Sequence, residues 1–166
     1  MFGSNDGLPN RGADALVEDS EGTVWIGAGN SVCGTKDGRC TAFSTEQGVP
    51  SGRGKIHMAG DSQGQLWLAR RNMVGVFHEG RFRTLLTLNE TCGALSGARS
   101  GGVWIGAGRR LLKCSGEGEP QDLGEVAVSR ANVEVTALYE DRAGRLWVGT
   151  RVASSESVWR SRAGAR

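Results

Sequence analysis

Five arginines fall in one recurring place, just after a tryptophan: Arg70-Arg71 after Trp67, Arg109-Arg110 after Trp104, and Arg151 after Trp147. Guanidinium groups gathered from successive repeats would suit carboxylates, sulfates or phosphates, which they hold through paired hydrogen bonds. Solvated loop charge, which protein surfaces carry in plenty, is the simpler reading of the same arginines. The segment after Trp25 has Ala28-Gly29-Asn30 instead, so the pattern holds in three units of four. His57 and His78 stand at different points of their units, and no acidic partners at a fitting spacing accompany them. Structural or solvated histidines are therefore expected, with His57 the one fair candidate for chemistry near a central channel. Cys33 and Cys40 flank Gly34-Thr-Lys-Asp-Gly38-Arg, a hairpin across which a disulfide could close. Cys40 also holds the offset from its tryptophan that Phe82 holds in the next unit, which makes a small core residue the simpler reading. Cys92 and Cys114 have no Cys-x-x-Cys spacing, and neither a metal nor another cofactor is expected. Gly101-Gly102 and Gly106-Ala-Gly108 lack the Lys-Ser/Thr of a phosphate loop, and no Gly-x-Ser-x-Gly elbow is present. No catalytic residues are assigned.

What must position these residues is a repeat. Four segments carry one phrase: Asp19 to Trp25, Asp61 to Trp67, Ala98 to Trp104 and Asp141 to Trp147. Gly22, Gly64, Gly101 and Gly144 each stand three residues before the tryptophan, and Asp stands six before it in every unit except the third, which has Ala98. The Trp-to-Trp steps are 42, 37 and 43 residues. Asp-x-x-Gly is a turn signal, because Asp bonds its own backbone two residues on and Gly takes a positive φ. Runs such as Val24-Trp25-Ile26 are apolar at every position and read as strands buried on both faces. Small residues follow, then two short apolar pieces split by glycine, as in Met73 to Phe77 and Gly80-Arg-Phe82. Units of three or four short strands every ~40 residues hide two apolar faces when stacked radially, which is a β-propeller.

Composition fits that reading. Glycine makes up 27 of 166 residues, where an average near 7% is usual. A net charge of +2 argues against a nucleic-acid binder. No apolar run approaches the ~18 residues of a membrane helix, and no signal peptide begins at Met1.

Gly7-Leu-Pro or Gly48-Val-Pro, followed by a strand ending in Asp-x-x-Gly-x-Leu/Val-Trp-Ile/Val-Gly, resembles the two-component regulator propeller repeat. The resemblance implies a non-catalytic, ligand-sensing region on the outer side of a bacterial inner membrane, periplasmic or extracellular, ahead of a histidine kinase or another output. It implies as partners the rest of a larger sensor and an anionic oligosaccharide or other small ligand. The WD repeat and the sialidase Asp-box fit less well, the first for want of Trp-Asp and the second by one residue between Asp and Gly. The streptogramin lyase, with Asp-Gly-x-Leu-Trp turns, resembles this chain in the Gly-x-Leu-Trp of Gly64 to Trp67 and Gly144 to Trp147 and is the enzymatic rival; a protein–protein platform is the structural one. The expected organisation is a remnant of a preceding blade over residues 1–9, blade 1 over 10–47, blade 2 over 48–90, a degenerate blade 3 over 91–129 and the start of blade 4 over 130–150. Residues 151–166 depart from the repeat and are expected to form an atypical tail, with disorder as one reading of it. Phe2 precedes Gly7 by the five residues that separate Phe43 from Gly48, so the four blades are expected to belong to a larger ring, of the seven-bladed type.

Overall fold

The computed structural model describes residues 12–116, 118–127, 133–152 and 157–162. Strands follow one another in four antiparallel meanders. The first comprises β1 (Ala15–Glu18), β2 (Val24–Ala28), β3 (Ser31–Lys36) and β4 (Arg39–Phe43). β5 (Ile56–Gly60), β6 (Leu66–Arg70), β7 (Met73–His78) and β8 (Arg81–Thr87) form the second. The third holds β9 (Cys92–Gly97), β10 (Val103–Ala107), β11 (Arg110–Cys114) and β12 (Gln121–Glu125). In the fourth, β13 (Val133–Glu140), β14 (Leu146–Val152) and β15 (Ser157–Arg162) lie side by side. Each sheet is a blade, and the chain is an all-β propeller array.

The end of β14 and all of β15 fall within the stretch expected as an atypical tail. β14 runs on to Val152, and β15 pairs with it from Ser157↔Arg151 to Arg162↔Leu146. The tail lacks the repeat's glycine punctuation, but an unpaired edge on β14 is itself a reason for the chain to return. Phe2 and the Gly7-Leu-Pro segment lie outside the described residues.

The first strands of successive blades pack in series, β1 on β5, β5 on β9, and β9 on β13. Three apolar cores lie between neighbouring sheets. Trp25 and Val17 meet Ile56, Met58, Leu66 and Leu68 between blades 1 and 2, and the Trp67 side of blade 2 meets Val103 and Ile105 of blade 3. Ala94 and Trp104 meet Val135, Leu146 and Val148 between blades 3 and 4. One rule generates all three: the tryptophan side of a blade faces the aliphatic side of the next. β6 is buried along its whole length, as a run apolar on both faces requires.

The residue two places after the tryptophan is small for a steric reason. A Cβ on Gly106 would lie 2.4 Å from Cγ1 of Val135, and one on Gly27 would lie 2.9 Å from Cγ2 of Ile56. The inner strand of the next blade passes directly over these glycines. Cys33 and Cys40 are joined by a disulfide across β3 and β4, with Cα atoms 5.8 Å apart. Of the two readings open for that pair, the bridged one is what the fold contains. Cys92 on β9 and Cys114 at the end of β11 are free and buried, and burial pushes the Cys92 thiol up to about 12.

Candidate functional site

The repeat signature is a hydrogen-bonded device. In blade 1, one oxygen of Asp19 accepts from the backbone N–H groups of Glu21 and Thr23, both at 2.9 Å, and its other oxygen accepts from Trp25 Nε1 at 2.7 Å. Asp61 does the same for Gln63, Gln65 and Trp67, all at 2.9 Å. Asp141 does so for Ala143, Arg145 and Trp147, at 2.9, 3.0 and 2.9 Å. Gly22, Gly64 and Gly144 close these turns at φ of 77°, 80° and 76°, a region that favours glycine. The carboxylate thus ties the turn to the indole and leaves no buried donor unpaired.

Blade 3 lacks the aspartate, and its neighbours supply what is missing. Trp104 Nε1 donates to Glu140 Oε2 at 2.6 Å, and the Arg99 N–H donates to the same oxygen at 2.9 Å. Gly102, whose amide holds the place of Thr23, Gln65 and Arg145, donates to Asp61 Oδ2 of the preceding blade at 3.1 Å. The degenerate unit is therefore cross-braced from both sides by side chains of blades 2 and 4. Sequence reading missed Glu140. The signal was the half-buried indole of Trp104 in the unit with Ala98, which needed an acceptor from elsewhere.

The five arginines do not share one role. Arg70 ends β6 and is 2% exposed. Its Nη1 donates to Gly29 O at 2.6 Å and to Pro50 O at 3.1 Å, and its Nη2 donates to Gly52 O. Its Nε has no partner. Burial pulls this guanidinium below its ordinary range, the Asp14 carboxylate pulls it back, and Arg71 adds to the fall; an arginine remains charged throughout. Arg71 is exposed, with a positive φ of 54°. Arg109 pairs with Glu125 at 3.5 Å. Arg110 pairs with Asp122 through Nε at 3.0 Å, and Arg151 pairs with Glu134 at 3.0 Å. The last three thus have carboxylate partners within the protein, whereas Arg70 is held by backbone carbonyls.

Arg70 also lines a cleft of about 710 Å³ at the junction of blades 1 and 2, together with Asp14, Asn30, Ser31 and Arg53. A second cleft, of about 620 Å³, lies between the outer parts of blades 2 and 3 and includes Arg110 and Asp122. His57 lies half-buried on β5. Burial lowers its pKa, the charge of Lys55 lowers it further, and Asp14 opposes both, so the ring is neutral near pH 7. His78 is exposed in the β7–β8 hairpin, 3.7 Å from Glu79. No group of three His, Cys, Asp or Glu placed to hold a metal occurs among the described residues. No helix among them is long and apolar enough to cross a membrane.

The two component regulator propeller family model matches residues 7–30 and 129–151, around the first and last tryptophan turns. Two segments of the chain thus match that repeat, and the sheets they belong to stand in a propeller array. No curated protein matches the sequence. Among solved structures, the extracellular domain of BT4673 from B. thetaiotaomicron, described as a one component system, superposes with a TM-score of 0.71 at 14% identity. That match covers 90% of this chain and 22% of the other. The extracellular domain of BT3049 from the same organism, described as a hybrid two component system, gives 0.65 at 16% identity, over 95% and 23% of the two chains. Virginiamycin B lyase from Staphylococcus aureus, a catalytically inactive form with quinupristin, gives 0.70 at 15% identity, over 92% and 56%. The chain thus spans less than a quarter of each extracellular domain and just over half of the lyase. At these identities the likeness is one of fold.

Proposed function

We propose that this chain is a non-catalytic, ligand-sensing propeller region of a bacterial two-component sensor, standing outside the membrane and upstream of a kinase or another output. The observation that carries the reading is the two component regulator propeller match at residues 7–30 and 129–151. The architecture around it agrees, since blades built on Asp–Trp turns offer rigid sheets with short loops at their rims, a scaffold for binding. Likeness in fold to extracellular domains of one- and two-component systems supports the same reading.

The lyase likeness favours a second reading, a propeller enzyme acting on cyclic peptides of the quinupristin kind. Chemistry at the channel would draw on His57, and the charged groups that bear on it are Lys55 and Asp14 rather than a glutamate. Two assays on the same preparation separate the readings. The sensor reading expects saturable binding to at least one member of an oligosaccharide panel, with quinupristin left intact. Turnover of quinupristin that disappears in His57→Ala would overturn it in favour of the enzyme. Neither binding nor turnover would favour a protein–protein platform.

A further inference from the structure

We propose that the cleft at the junction of blades 1 and 2 binds a small polyhydroxylated carboxylate, a sugar acid, with Arg70 as its buried cation. The inference rests on the ligand-sensing reading and gives it a place and a ligand class. Arg70 is the starting point because its surroundings are unusual. A buried charge is costly unless a counter-charge or full hydrogen bonding compensates it. Arg70 is 2% exposed, three backbone carbonyls hold its two Nη groups, Nε has no partner, and no described carboxylate lies within ion-pair distance of it. The carbonyls fix the guanidinium in position but bring only dipoles. With Asp14 beyond ion-pair distance as the carboxylate that acts on it, an incompletely compensated positive charge is left at the wall of a cleft with room for a sugar-sized molecule, about 710 Å³.

The rest of the lining selects the ligand. Exposed Arg53 stands ready to meet a carboxylate through its planar fork. Asn30, Ser31 and Asp14 offer acceptors and donors for hydroxyl groups. Apart from Ala28, the lining is polar side chains and glycine, which disfavours an apolar ligand. Asp14 decides between anions. Phosphate or sulfate would set its whole charge against that carboxylate, whereas a sugar acid can turn a hydroxyl toward Asp14 and its charged end toward the arginines.

The test is calorimetric titration of the 166-residue chain with galacturonate, with galactose and inorganic sulfate as controls. Galacturonate is expected to saturate and to bind at least tenfold tighter than either control. Arg53→Gln, an exposed change, should weaken it about fivefold or more, and Arg70→Gln about tenfold or more, while Arg142→Gln on a distant turn leaves it unchanged. If Arg70→Gln fails to fold, Arg53→Gln and Asn30→Ala carry the test. Galacturonate no tighter than galactose, or binding indifferent to Arg53→Gln, overturns the proposal. Should galacturonate fail while a neutral oligosaccharide binds, the cleft assignment falls and the sensing reading stands; if nothing in the panel binds, both fall.

Discussion

At the scale of single residues, the tryptophans are held as much by carboxylates as by their apolar surroundings. Asp19, Asp61 and Asp141 each satisfy an indole and two turn amides, and Glu140 accepts from the Trp104 indole and the Arg99 amide from the neighbouring blade. Removing it in Glu140→Ala leaves the indole and the Arg99 amide without their acceptor, and should cost about 1–3 kcal/mol in denaturant unfolding. Adding Ala98→Asp restores the aspartate found in the other three units and should recover at least half of that loss; no recovery would mean that blade 3 cannot adopt the common turn. The same bonds make stability depend on pH. Burial would raise the Asp19 pKa, but the Trp25 indole and the turn amides outweigh it and bring it below its ordinary value. The indole of Trp147, the Arg145 amide and the Arg145 side chain hold Asp141 well below that value. A carboxylate with a folded pKa below its unfolded one stabilises fully above the unfolded value and loses its effect as pH falls through the folded one. The melting temperature should thus hold between pH 7 and about 5 and drop below about pH 4. Asp19→Asn and Asp141→Asn should lower the plateau and flatten that drop; an unchanged slope in both variants would place the acid sensitivity elsewhere.

At the scale of elements, spacing made the second strand of each blade legible and left its surroundings to geometry. Four tryptophans at nearly even steps located β2, β6, β10 and β14, since a run apolar at every position has to be buried on both sides. The signature glycine was legible as a turn residue. The glycine two places after the tryptophan gave no such reason in sequence, because its cause is another blade's inner strand lying against it. Gly106→Ala tests this: a methyl 2.4 Å from Val135 Cγ1 must displace that buried side chain, costing about 1–3 kcal/mol, and Val135→Ala in the same chain should relieve part of it. If Gly106→Ala is neutral, the packing rule between blades is wrong at that junction. β15 stayed hidden because its sequence carries neither the glycines nor the regular apolar steps of the other third strands. The arginines illustrate the converse limit. Their recurrence just after each tryptophan strand was visible, but only the fold shows that Arg70 points into the carbonyls of Gly29 in blade 1 and of Pro50 and Gly52 ahead of β5, while Arg110 and Arg151 meet acids on adjacent strands.

At the scale of the whole molecule, each blade offers a tryptophan side and an aliphatic side, and the three inner junctions pair one with the other. The aliphatic side of blade 1 and the tryptophan side of blade 4 have no sheet against them among the described residues. The two exposed large hydrophobic residues lie there, Leu16 at 68% and Tyr139 at 60%. They are the two halves of the junction repeated inside the array, and a further blade of the same kind would cover either. This bears on the proposed function, under which the propeller would pass ligand binding to an output in the same polypeptide. The most direct measurement is to read the native coding sequence on both sides of the segment encoding these residues. The account predicts that the frame runs on into further tryptophan repeats, a membrane-spanning helix and a kinase or another output module. A frame closed by stop codons immediately on both sides would contradict it.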